Sequence, residues 1–196
     1  MALVNHAKRE INAKIVFCGA ADVGKATLLK AICSKLPTES RGQLRSMSFQ
    51  QDKMLFFDFT HPEGGDSGNY SLRLHVYTLT GEVTQENAWK MVLKGVDGIA
   101  FVADSDPSRQ ADNRQVFDQM QSALYANGKK LLDIPAVIIC TKQDLPAQVP
   151  TTQIRSDLSV PTLPVFPVVS LLDKTVLEPL CELLEGILAS LEGLGL

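Results

Sequence analysis

Residues 9–32, REINAKIVFCGAADVGKATLLKAI, run from an apolar segment through a glycine-bounded loop into leucines spaced for a helix. Strand, loop and helix in that order are the setting in which G-x-x-x-x-G-K holds phosphate, and Gly19, Gly24 and Lys25 supply its fixed letters. Glycines let the backbone wrap closely around an anion, and a helix that begins at Lys25 turns its positive dipole end toward it. The phosphate-binding residues expected from this stretch are Ala21, Asp22, Val23, Gly24, Lys25, Ala26 and Thr27, with the Lys25 amine on the outer phosphates. The hydroxyl that such loops place after the lysine to bind magnesium is missing, because the residue there is Ala26. Thr27 has a hydroxyl, but one residue further on it is rotated about 100° around the helix.

Outward from the loop, apolar runs recur at 13–18, 54–59, 72–79, 98–104, 135–141 and 163–169. Segments of helical period separate them, at 25–36, 84–95, 108–127, 151–158 and 174–191. GIAFVAD and AVIIC are apolar at nearly every position, which suits strands covered on both faces. The expected fold is α/β: a six-stranded, mostly parallel sheet with helices on both faces. Residues 54–59 and 72–79 read as an antiparallel hairpin across a long, turn-rich connection, which makes one antiparallel edge strand. The chain reads as a single domain over 1–196.

Composition narrows the function. A formal charge of −3 with no dense basic run argues against a nucleic-acid partner. The absence of a leader, of a long apolar span and of a C-terminal prenylation cysteine points to a cytoplasmic protein without a direct membrane anchor. Cys18, Cys33, Cys140 and Cys181 lie far apart in apolar stretches and read as buried thiols. His6, His61 and His75 are scattered and read as ordinary surface or sheet histidines, and Trp89 reads as a core residue or a partner contact. Asp104 and Asp106 read as loop and helix-cap residues.

TKQD, residues 141–144, follows directly on the strand AVIIC, at the strand end where open α/β sheets bind ligands. A carboxylate at Asp144 can accept from both donors on guanine's Watson–Crick edge, and adenine would leave it unpaired. Lys142 can lay its stem over the base, and Thr141 completes the motif.

With these motifs in place, the chain resembles the Ras superfamily of small GTPases, and within it the MglA family of bacterial gliding-motility GTPases. REINAKIVFCG, MLFFDF, LRLHVYTLTGE, LKGVDGIAFVADS and TKQDLP carry the resemblance. TLTG at 78–81 shares the MglA family's peculiarity of threonine where the superfamily has aspartate. The resemblance implies a Ras-like fold, GTP and GDP as ligands, and a role in cell polarity or motility. It implies an MglB-like Roadblock-fold activator, response-regulator-like or repeat-protein effectors, and recruitment to a cell pole through such partners. It adds Gly81, Ser170 and Leu171 to the nucleotide contacts.

The same resemblance exposes departures. Glu82 stands where these GTPases carry a water-orienting glutamine, and Lys53 where MglA proteins carry an arginine finger. Both are therefore the candidate catalytic residues, although lysine lacks the guanidinium fork and glutamate lacks an amide donor. Met54 replaces a magnesium-binding threonine, Ala21 replaces a glycine, and Asp58 is the candidate metal ligand in compensation. Phosphoryl transfer rests on positioning and charge stabilisation, so these changes point to guanine-nucleotide binding with hydrolysis weak or lost and magnesium weakened. The alternatives are an active GTPase that needs its activator, and a scaffold insensitive to nucleotide.

Overall fold

The computed structural model describes residues 2–49, 52–60, 70–80, 86–169 and 174–193. Its strands are β1 (Leu3–Asn5), β2 (Glu10–Cys18), β3 (Arg45–Phe49), β4 (Asp52–Thr60), β5 (Ser71–Thr80), β6 (Gly98–Asp104), β7 (Ala136–Thr141) and β8 (Val165–Pro167). Its helices are α1 (Lys25–Lys35), α2 (Glu86–Val92), α3 (Gln110–Ala126), α4 (Thr151–Asp157) and α5 (Glu178–Glu192).

The strands form one mixed sheet in the order β3-β4-β5-β2-β6-β7-β8, with β1 beside the first half of β2. From β5 through β2, β6 and β7 to β8 every pairing is parallel, whereas β3, β4 and β5 pair antiparallel. The expected hairpin is present as β4 and β5, but β4 is not the edge. Arg45–Phe49, RSMSF, adds a further antiparallel strand outside it, and Leu3–Asn5 adds another against β2, so the described sheet has eight strands. Neither carries an apolar run, because Arg45 to Ser48 are all exposed and that strand is held by its ladder to β4.

Burial follows sequence pattern. Every residue of β6 and β7 is buried, as their unbroken apolar runs require of strands with helices on both faces. Most of β4 and β5 alternates buried with half-buried, so one face is packed and the other is open. On the packed face, Leu28, Leu29 and Ile32 of α1 and Leu183 and Ile187 of α5 join Leu55, Phe57, Leu74 and Val76. On the opposite face, α2, α3 and α4 cover β6 and β7 with Trp89, Leu93, Phe117, Met120 and Ile154. Phe101 and Phe117 meet edge to face there at 4.8 Å. Each such fully buried side chain contributes about 1.5–3 kcal/mol by leaving water. Three of the four cysteines are buried, but Cys181, on α5, is exposed. No helix among the described residues is long and apolar enough to cross a membrane.

Candidate functional site

β2, β6 and β7 end side by side, and the loop that leaves β2 is tied to the other two. Gly19 makes the first close approach: a Cβ there would lie 2.3 Å from the Val102 carbonyl oxygen of β6, at a φ of +150°. Only glycine fits both the space and the backbone. Asp22 and Gly24 follow in the left-handed region (φ 59° and 91°), and Lys25 then opens α1. No side chain caps α1 and its first turn holds no acid, so its first amides have no protein acceptor from a cap.

Two side chains grip the loop from outside it, and a third braces the neighbouring strand end. Thr141 Oγ1, at the end of β7, donates to the Val23 carbonyl at 2.9 Å and lies 3.1 Å from that of Ala103. Arg109, in the 3-10 turn before α3, donates through Nη2 to the Ala21 carbonyl at 2.7 Å and pairs through Nη1 with Asp112 at 2.6 Å. Lys142, itself at φ 58°, donates to the fully buried Asp104 carboxylate at 2.6 Å. Asp104 also accepts the Asp106 amide at 3.0 Å, while Asn113 and Gln110 satisfy its backbone. Asp106 caps the 3-10 turn through Ser108, as the sequence indicates.

Lys25 is 4% exposed and its Nζ donates to the Ala20 carbonyl. Burial pulls its pKa down to about 8, against the opposing fields of Cys18 and Asp22. An ammonium taken from water without a counter-charge is unfavourable, so the site is short of negative charge. Phosphate oxygens are a fitting complement. Ala26 is half-buried in the first turn of α1, Thr27 is exposed, and Asp144 is exposed beyond β7, at the same sheet end as the loop.

The sequence-expected residues from 21 to 27 and from 141 to 144 are thus brought to one end of the sheet. Gly81, Glu82, Ser170 and Leu171 lie outside the described residues. Lys53 is exposed on β4 opposite Thr80, whose hydroxyl donates to the Lys53 carbonyl at 3.0 Å. Alternation puts it on the α1 side with Leu55, while Met54 packs into the α2–α3 cluster. Thr78 is buried and its hydroxyl donates to the Phe17 carbonyl at 3.0 Å, a bond that an ionised aspartate could not make.

Asp58, the candidate metal ligand, is engaged by two side chains of β5. Its Oδ1 bonds His75 at 2.7 Å and its Oδ2 accepts from Arg73 at 3.0 Å, on the open face of the sheet and opposite His75 in register. Burial raises its pKa, but those two partners outweigh it and hold the carboxyl below its usual range. His75 Nε2 bonds the Asn12 side-chain oxygen at 2.7 Å, completing a ladder across β4, β5 and β2. Magnesium needs hard oxygen ligands, and Ala26 offers a methyl group, Met54 a thioether and Asp58 an occupied carboxylate. Among the described residues no three His, Cys, Asp or Glu side chains gather. The described donor set does not fit a protein-held magnesium ion.

Arg109 and Asp52 escaped the sequence reading, and Asp104, read there as a loop or cap residue, is instead the buried last residue of β6, held by Lys142. Asp52 is 4% exposed and its Oδ2 has no hydrogen-bond partner among the described residues. The acid closing the apolar run GIAFVAD was the available signal for Asp104, since a buried carboxylate needs a partner. Arg109 had none, because its partner lies 88 residues away.

Comparison with known proteins agrees with this geometry. Residues 1–177 match the model of the ADP-ribosylation factor family. The chain is 38% identical, over 170 residues that make up 87% of each protein, to the mutual gliding-motility protein MglA of Myxococcus xanthus (strain DK1622).

Proposed function

This chain belongs to the ADP-ribosylation factor family of Ras-superfamily small GTPases, and from that premise we propose that it is one guanine-nucleotide-binding domain whose binding half is kept and whose hydrolytic half is depleted. The observation that carries the reading is the loop of residues 19–25, tied to β7 and α3 around a buried, charge-starved lysine. In the mechanism this supports, the nucleotide's phosphates replace the Ala20 carbonyl as the partner of the Lys25 amine. The first amides of α1 add to that anion hold. Lys142, anchored at Asp104, lies along the base, and Asp144 accepts from guanine's two donors. Gly81, Ser170 and Leu171 complete the contacts.

Hydrolysis would need a group to orient water and charge to stabilise the transferring phosphoryl. Lys53 and Glu82 are the residues left for those roles, and neither has the geometry of the arginine and glutamine they replace. Turnover is therefore slow unless an activator supplies the missing groups. Magnesium, when present with the nucleotide, would rely on phosphate oxygens and water.

The relative's name points to gliding motility, and we extend to this chain a role in polarity or motility, with an MglB-like activator and pole recruitment through effectors. The test is titration of nucleotide-free protein with GDP, a GTP analogue and ADP. The expected result is binding of both guanine nucleotides, with ADP at least about 100-fold weaker, a discrimination lost in Asp144→Ala. Equal affinity for GDP and ADP would overturn the reading.

A further inference from the structure

The phosphate loop's amides can meet a nucleotide only if its carbonyls face elsewhere. Trans peptide geometry makes this a rigid relation, since the C=O of one residue and the N–H of the next point to opposite sides of a planar unit. No described peptide bond is cis. Whatever holds a loop carbonyl therefore also aims the following amide.

Two loop carbonyls are held in this way. Thr141 takes that of Val23, which aims the Gly24 amide away from β7. Arg109 takes that of Ala21 at 2.7 Å, which aims the Asp22 amide away from α3. Asp22 stands at φ 59°, a conformation that a non-glycine residue holds when its surroundings enforce it. Arg109 is itself aimed, through its 2.6 Å pair with Asp112 and the buried Asp104 carboxylate 3.9 Å from its Nε. It forms part of the wall of a cavity of about 380 Å³, together with Ala20, Ala21 and Trp89. Its side chain is 32% exposed, so the Ala21 carbonyl would be hydrated rather than stranded if the guanidinium were removed.

We propose that Arg109 is a positioning residue for the nucleotide's outer phosphates: it holds the Ala21 carbonyl back and so presents the Asp22 amide to them. The proposal rests on the guanine-nucleotide reading above. It separates Arg109 from the base-recognising residues, because its effect passes through one peptide unit of the loop. It also makes the start of α3 part of the binding apparatus, although no atom of Arg109 has to touch the ligand.

The experiment compares GDP and GMP binding, and the ³¹P resonance of the β-phosphorus of bound GDP, in wild type, Arg109→Met, Arg109→Lys and Arg114→Met. Loss of one hydrogen bond to a charged group predicts GDP binding about 10- to 100-fold weaker in Arg109→Met. GMP, which lacks the outer phosphate, should bind within about twofold of wild type, and the β-phosphorus resonance should move. Arg109→Lys keeps a donor and should recover part of the loss. Arg114→Met, on the far side of the same region and 3.9 Å from Asp157, should change nothing.

Equal weakening of GDP and GMP, or an unmoved β-phosphorus resonance, would overturn the proposal. So would unchanged GDP binding. If Arg109→Met does not fold, the same comparison in Arg109→Lys decides, since one compact ammonium lacks the fork that makes both guanidinium contacts and the GDP-to-GMP ratio must still fall. Wild type that binds neither nucleotide would overturn the guanine reading itself, a result distinct from wild type that binds GDP alongside an unaffected variant.

Discussion

The two halves of the sheet treat polar side chains differently. Where β2, β6 and β7 end under helices on both faces, each functional group is buried or clamped: Lys25 on Ala20, Thr141 on Val23, Arg109 on Ala21 and Lys142 on Asp104. Where β3, β4 and β5 present an open face, the polar groups pair with one another. Asp58, His75, Arg73 and Asn12 form a ladder across β4, β5 and β2. On the proposed reading, nucleotide binding belongs to the clamped loop of residues 19–25 and hydrolysis to a separate piece of chain, residues 45–60.

The comparison breaks most severely at Gly19. In Gly19→Ala a methyl group meets the Val102 carbonyl at 2.3 Å, and β2 or β6 must move. A cost of about 3 kcal/mol or more is expected in urea unfolding, with nucleotide binding lost. A change below about 1 kcal/mol would show that the loop is not wedged against β6.

Lys25→Met should separate binding from stability. The folded, empty protein holds the Lys25 pKa near 8 against 10.5 in the unfolded chain, so the native state binds fewer protons between those values. Its stability accordingly rises with pH across that window, and the full penalty applies below pH 8. Removing the amine is expected to stabilise the empty protein at pH 7 by about 1–3 kcal/mol while GDP affinity falls more than about 100-fold. In wild type the phosphates restore the proton, so GDP affinity should be flat below pH 8 and fall above it. Calorimetry in buffers of different ionisation heat reads that proton directly.

A smaller effect sharpens the contrast. Ala26→Ser restores a hydroxyl to the first turn of α1, and magnesium should slow GDP release by about tenfold more than in wild type. Equal magnesium effects would mean that Ala26 is not the lost ligand. The smallest effect belongs to the open face. Arg73→Ala removes an ion pair whose arginine is 40% exposed, and solvent screening leaves it about 0.5 kcal/mol. The difference should vanish as acid protonates Asp58, whose stabilisation is present above the ordinary carboxylate pKa and lost as pH falls through its lowered one. GDP affinity should not change.

Much of this was legible because it is local. The loop letters, the strand AVIIC before TKQD and the unbroken apolar run of GIAFVAD each carry their setting with them. What was missed is defined by distant partners. RSMSF becomes a strand through β4, and Asp58 is occupied by residues 15 and 17 positions later, so a strand-end acid looked free in sequence. Arg109 looked like any helix-start arginine until folding laid it beside residue 21. Cys181 sits among leucines in sequence, yet falls on the outer side of α5.

An eight-stranded sheet that ends in free edges invites further strands, from another copy or another chain, to continue it. Here one outer strand is five residues long and begins with Arg45, and the other is three residues long and ends in Pro167, which has no amide hydrogen to offer. Short length, charge and proline are the features that stop edge-to-edge growth. Both outer strands of the described sheet therefore carry features that discourage a further strand from pairing with them.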